Sequence, residues 1–197
     1  MAQPPDDDGL IAGFFGRSLA ALQAASIDRV LHASIAAVAA AIVASLRAGG
    51  KLLIAGNGGS AADAQHLAAE FVGRFVLERQ ALPAIALTTD TSALTAIGND
   101  YGFDRVFERQ LRALGRRGDV LLALSTSGRS ANVLTALKAA RDIGLTTVGF
   151  AGSGTAPMRD LCDYFLAAPS TETAIVQQIH ITFGHAICAL VDRAMTQ

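Results

Sequence analysis

Two stretches of the 197-residue chain carry side chains able to move protons or hold a metal. His66 and Glu70 stand four apart in a helical segment, a spacing that stacks them on one face. An imidazole and a carboxylate so placed can share a divalent ion such as Zn2+, although a solvated His–Glu pair uses the same spacing. The final helical segment holds Gln177, Gln178, His180 and His185 among Ile175, Val176, Ile179, Ile181, Phe183 and Ile187. Such apolar neighbours imply burial, and buried polar side chains need partners. A satisfied core histidine explains any one of the four. Two Gln and two His within nine residues favour a shared polar site.

Two loops complete the chemistry. The run Gly56-Asn57-Gly58-Gly59-Ser60 follows an apolar strand segment and opens a helix. Its glycines allow positive φ and close backbone approach, and the helix N-terminus favours an anion or a sugar hydroxyl. A tight structural turn needs the same residues. It is not a P-loop, since no Gly-Lys-Ser/Thr follows. The second run, Ser125-Thr126-Ser127-Gly128-Arg129-Ser130, offers four hydroxyls at a helix start, a neutral cup for a phosphoryl group. Ser130 as a plain N-cap would need one hydroxyl only.

The elements that must position these groups follow from hydrophobic period. Helical segments over 10–25 and 27–48 come first, with Ser26 and Asp28 as capping candidates and Gly49-Gly50 as the stop. Short β-rich runs at 51–55, 84–87, 120–125, 146–151 and 164–167 then alternate with helical segments at 60–75, 91–97, 104–114, 130–143, 155–161 and 174–195. Continuously apolar strands separated by helices indicate a parallel sheet covered on both faces. The expectation is an α/β, doubly wound, five-stranded parallel sheet with an N-terminal helical extension. Ligands of such sheets bind beyond the carboxyl ends of the strands, where both loops fall. Asn99-Asp100 reads as a turn after a short helix.

Composition narrows the function. Sixteen Lys and Arg against 17 Asp and Glu leave a net charge of −1, with no footprint for nucleic acid or an anionic membrane. Half of the residues are hydrophobic (51%), enough for a sizeable core. Cys162 and Cys188 form no CxxC pair and fit a reduced, cytoplasmic protein. The acidic, Pro-bearing residues 1–9 lack the positive start of a secretory signal and read as a frayed tail. Residues 30–46 are uncharged and close to spanning length, but Ala-rich and interrupted by His32, Ser34 and Ser45, so burial in a bundle or subunit interface is expected.

Asn57-Gly58-Gly59-Ser60, the Ser125-to-Ser130 cup and the phrase Ala96-Ile97-Gly98-Asn99-Asp100 together resemble the sugar isomerase (SIS) domain, and within it the phosphoheptose isomerase family. The resemblance implies a SIS domain over 49–197 behind a tail and helical extension over 1–48. It implies conversion of D-sedoheptulose 7-phosphate to D-glycero-D-manno-heptose 7-phosphate through an enediol, with Glu70 and His185 as the acid–base pair. It implies one Zn2+ per subunit on His66, Glu70, Gln177 and His185. It implies contacts to the sugar phosphate from Asn57, Gly58, Gly59, Glu70, Asn99, Asp100, Ser125, Thr126, Ser127, Ser130 and Gln177. It also implies a homotetramer with active sites at subunit interfaces.

One tension accompanies that assignment. Gln177 and His185 are eight apart, about 12 Å along a regular helix, so one ion reaches both only if the helix starts irregularly or the ligands come from different protomers. His180 falls on neither role and reads as a core or supporting residue. Arg74, one turn beyond Glu70, lies within reach of the site or on the surface. Two other functions fit the SIS resemblance: an adaptor that binds the bacterial replication initiator without turnover, and an isomerase of another sugar phosphate. The adaptors lack the acid–base residues that fall here on Glu70 and His185.

Overall fold

A computed structural model describes residues 6–154 and 157–196. The chain begins with α1 (Asp7–Ile27) and α2 (Arg29–Arg47). The sheet is built from β1 (Leu52–Ala55), β2 (Ala84–Ala86), β3 (Val120–Leu124), β4 (Thr146–Gly152) and β5 (Tyr164–Ala168). Between strands lie α3 (Gly59–Val72), α4 (Thr91–Tyr101), α5 (Val106–Leu114) and α6 (Ala131–Ile143), and α7 (Thr173–Met195) closes the fold.

All strands are parallel in the order β2-β1-β3-β4-β5, as the apolar runs require. The period-2 alternation divides the core cleanly. Leu52, Ile54, Leu122, Val148 and Phe150 face one core with residues of α2, α3 and α7, while Leu53, Ala55, Leu121 and Ala123 face the other with α5 and α6. The α2 helix belongs to the first core through Ile35, Val38 and Ile42. By length and composition α1, α2 and α7 are each apolar enough to cross a bilayer; half of the α7 stretch is buried against its neighbours.

Several boundaries depart from the sequence reading. Residues 1–5 lie outside the described residues, but helix begins at Asp7 rather than beyond a frayed 1–9 tail. Asp6 caps it by accepting from the Gly9 N–H at 2.9 Å, and Asp7 and Asp8 suit the positive end of the helix dipole. The α4 helix runs on to Tyr101 and ends at Gly102, whose φ of +91° stops it, so Asn99 and Asp100 are helical. In place of a helix at 155–161, a 3-10 turn spans Pro157–Leu161, with 155 and 156 outside the described residues. Asp28, the expected cap, accepts from the N–H groups of Val30 and Leu31.

Close packing of α3 on α7 brings the two chemically equipped helices together. Gly184 makes it possible, because a Cβ there would lie 2.4 Å from Leu67 Cδ2, a side chain that is itself buried.

Candidate active site

Leu67 and Gly184 are each one residue from a histidine. The consequence is that His66 and His185, from helices far apart in sequence, place their Nε2 atoms 3.0 Å apart. Glu70 Oε1 lies 3.4 Å from His66 Nε2. One ligand atom from each of His66, Glu70 and His185 falls within 4.8 Å of the others. The Phe75 ring covers His185 at a centroid separation of 5.3 Å. Two imidazole nitrogens and one carboxylate oxygen are the donor set of a three-ligand zinc site with an open fourth position, and their spacing allows them to close on one ion.

A second feature lies beyond the carboxyl ends of β1 and β3, where the connections leave the sheet in opposite directions. A cavity of about 300 Å³ is lined there by Asn57, Gly58, Gly59 and Ser60 from the first loop, and by Ser125, Thr126 and Ser130 from the second. Thr173 and Gln177 of α7 close it. The N-termini of α3, α6 and α7 all open onto this space, and none has a side-chain cap. Their free N–H groups and dipoles therefore supply the attraction for an anion, in a cavity whose lining includes no Lys or Arg among the described residues. Ser130 caps nothing: its Oγ meets Ser125 Oγ at 2.9 Å, inside the cup. Gly59 leaves room for the Gln177 amide, which a Cβ there would approach to 2.5 Å and push aside.

Comparison with known proteins agrees with this layout. The family model described as the SIS domain matches residues 15–152. The chain is 60% identical over 190 residues to a phosphoheptose isomerase of Bradyrhizobium sp., covering 96% of each chain. It is 62% identical over 162 residues to that of Solidesulfovibrio magneticus, covering 82% of this chain and 79% of the relative. The chain belongs to the SIS-domain phosphoheptose isomerase family. The solved phosphoheptose isomerase of Neisseria gonorrhoeae superposes with a TM-score of 0.87 at 46% identity, covering 93% of this chain and 97% of that one. The one from Francisella tularensis gives 0.91 at 35% identity, covering 96% and 100%. The SIS fold and a sugar phosphate isomerase activity are thereby placed on this chain.

Within this SIS fold the expected residues sort into two groups. His66, Glu70 and His185 gather in one chain. Asn57, Gly58, Gly59, Ser125, Thr126, Ser130 and Gln177 gather at the cup. Ser127 turns outward, its Oγ accepting from the Arg129 N–H. Asn99 donates to Asp100 at 2.8 Å on the exposed end of α4, and neither lines the cavity. Arg74 reaches Glu78 at 3.5 Å on the surface. The α7 helix is continuous from Thr173, which removes an irregular start as the way to bring Gln177 to the same ion as His185.

Three residues of this isomerase escaped the sequence reading. Asn132 exchanges two side-chain hydrogen bonds with Asn57, at 2.9 and 2.8 Å, and holds it at the rim. Thr173 opens α7 at the cup. Asp63 shares the α3 face with His66 and Glu70, and one of its oxygens is buried without a partner among the described residues. Burial raises its pKa against the opposing pull of His66 and His185. Its i, i+3 spacing to His66 was the available signal. His180 is wholly buried beside Phe150, which fits the core reading. Burial pushes both cysteine thiols up to about 12, so neither is a nucleophile.

Proposed function

We propose that this protein converts D-sedoheptulose 7-phosphate to D-glycero-D-manno-heptose 7-phosphate. The observation that carries the reading is the meeting of the Glu70 carboxylate with the His185 imidazole in a single chain, ligand atoms within 4.8 Å. In the ketose the carbonyl is at C2. Glu70 removes a proton from C1 while His185 gives one to the C2 oxygen, which leaves an enediol. Return of the carbon proton to C2, with loss of the proton on the C1 oxygen, gives the aldose. No net oxidation occurs. A carboxylate base with a histidine at the oxygens is the division of labour described for triosephosphate isomerase.

The phosphate end of the sugar belongs in the hydroxyl cup. Asn57, Gly58, Gly59, Ser125, Thr126, Ser130 and Gln177, which line that cavity, hold it. Zn2+ on His66, Glu70 and His185 would polarise the carbonyl–hydroxyl pair; the two-nitrogen, one-oxygen donor set supports that choice. Gln177 lies two turns from His185 on a continuous helix, so its part in a metal site is contributed across a subunit contact. A homotetramer supplies such a contact. An apolar stripe of Ile11, Phe15, Leu19 and Leu22 stands exposed along α1 and supports that assembly. The compartment we propose is the cytoplasm.

The test is to incubate the purified protein with D-sedoheptulose 7-phosphate in deuterated water and follow the sugar carbons by NMR. Aldose formation with deuterium at its C2 supports the enediol route. Turnover of a different sugar phosphate alone would shift the substrate, and binding of the replication initiator with no turnover would establish the adaptor instead.

A further inference from the structure

We propose that the buried ion pair of Arg79 and Asp192 is a positioning lock that sets the separation of Glu70 and His185. The inference rests on the reading that those two groups do the chemistry. Arg79 and Asp192 side chains are 3% and 2% exposed, and Arg79 Nε donates to Asp192 Oδ1 at 2.6 Å. Of the remaining guanidinium donors, Nη1 reaches the Gln80 carbonyl at 3.0 Å, and both Nη1 and Nη2 go to backbone at the end of α3. Nη2 donates to the Glu70 carbonyl at 2.8 Å, and Nη1 to the Phe71 carbonyl at 2.9 Å and the Gly73 carbonyl at 3.4 Å. These are carbonyls that a helix C-terminus leaves without intrahelical partners. The turn that carries Glu70 is thus held by its own main chain.

The other half of the pair acts on His185. Asp192 follows it by seven residues on α7, within about 20° of the same face and about 10 Å along the axis. Asp192 Oδ2 accepts from the N–H groups of Val76 and Leu77, at 2.9 and 3.0 Å. Those bonds pin the segment that begins with Phe75, whose ring lies against His185. The frame is closed: Glu70 main chain to Arg79, Arg79 to Asp192, Asp192 through α7 to His185, and back through Phe75. A buried ion pair is weak as a source of stability, since apolar replacements of similar volume are often neutral. Holding several acceptors at fixed angles, in contrast, is what a planar guanidinium does and an ammonium does not.

Arg79→Lys keeps the charge but loses the fork. The double variant Arg79→Met/Asp192→Leu removes the pair without stranding a charge, and guards against failure of the first to fold. Glu108→Gln is the control, because Glu108 is a buried acid bonded to Arg105 and Arg112 on the opposite face of the sheet. In full-length protein of native circular dichroism, the lock variants should lose about 10- to 100-fold in kcat with KM within about threefold, the usual scale for supporting residues. Zn2+ affinity, read by chelator competition, should fall about tenfold or more. Glu108→Gln should change neither. Lock variants with wild-type kcat and wild-type Zn2+ affinity would overturn the proposal. A wild type inactive on the heptose phosphate would instead overturn the isomerase reading, with the Zn2+ titration still deciding the lock.

Discussion

His66 Nε2 and His185 Nε2 face each other at 3.0 Å, so one ring donates and the other accepts, and Glu70 stands beside them. In the proposed site a Zn2+ ion would take the place of that hydrogen bond, because metal ligands must be deprotonated. Glu70→Gln keeps the volume and removes the base. Turnover should fall at least about 100-fold, the lower end for loss of a general base. Near-normal kcat in a coupled isomerase assay would exclude Glu70 from that role.

The Ser130 hydroxyl faces the cup and does no capping. Ser130→Ala should therefore leave the melting temperature almost unchanged, whereas loss of a working N-cap costs about 1 kcal/mol. Binding should weaken about 10- to 100-fold in KM, the equivalent of one hydrogen bond to a charged group. A fall in melting temperature with unaltered KM would restore the structural reading of this serine.

Gly184 lets α3 approach α7 beside both histidines. Gly184→Val places methyl groups where Leu67 already packs, which should destabilise the fold by about 1–3 kcal/mol. It should also part His66 from His185. If the proposed Zn2+ site is filled in the wild type, metal analysis of the folded variant should show sub-stoichiometric Zn2+. Undiminished Zn2+ content would mean that the helices tolerate the wider spacing.

Acid sensitivity should trace in part to His180. Burial drives its pKa from 6.5 to about 4, although the nearby Ala151 backbone opposes the shift without forming a well-aligned hydrogen bond. An unfolded imidazole takes up its proton near pH 6.5 and the folded one only near pH 4, so the unfolded state binds more protons in between. Stability from this group is complete above about pH 6.5 and declines as pH falls, by about 3 kcal/mol over the window. His180→Phe should flatten the fall in melting temperature between those limits; parallel curves would assign the acid loss elsewhere. Burial also works to raise the Asp192 pKa, but Val76, Arg79 and Leu77 hold it below the usual carboxylate range, so its contribution is lost only at lower pH.

The parallel sheet, the two loops rich in glycine or hydroxyls and the helices that bear His66, Glu70 and His185 were legible in the amino-acid order, because local hydrophobic period and glycine or hydroxyl clusters act over a few residues. His66 and Glu70 were readable as a pair for the same reason: one helical turn separates them. Helix ends were less legible where a remote group intervenes. The α3 helix stops at Val72 rather than 75, with Arg79 taking the carbonyls of its last turn. That His185 joins the early pair, that Ser130 pairs with Ser125 rather than with its own helix, and that Arg79 finds Asp192 were settled by tertiary packing. Each depends on how closely two helices or loops approach. That distance is set by side-chain volume across the contact, as Gly184 against Leu67 shows, and no window of neighbouring residues contains it.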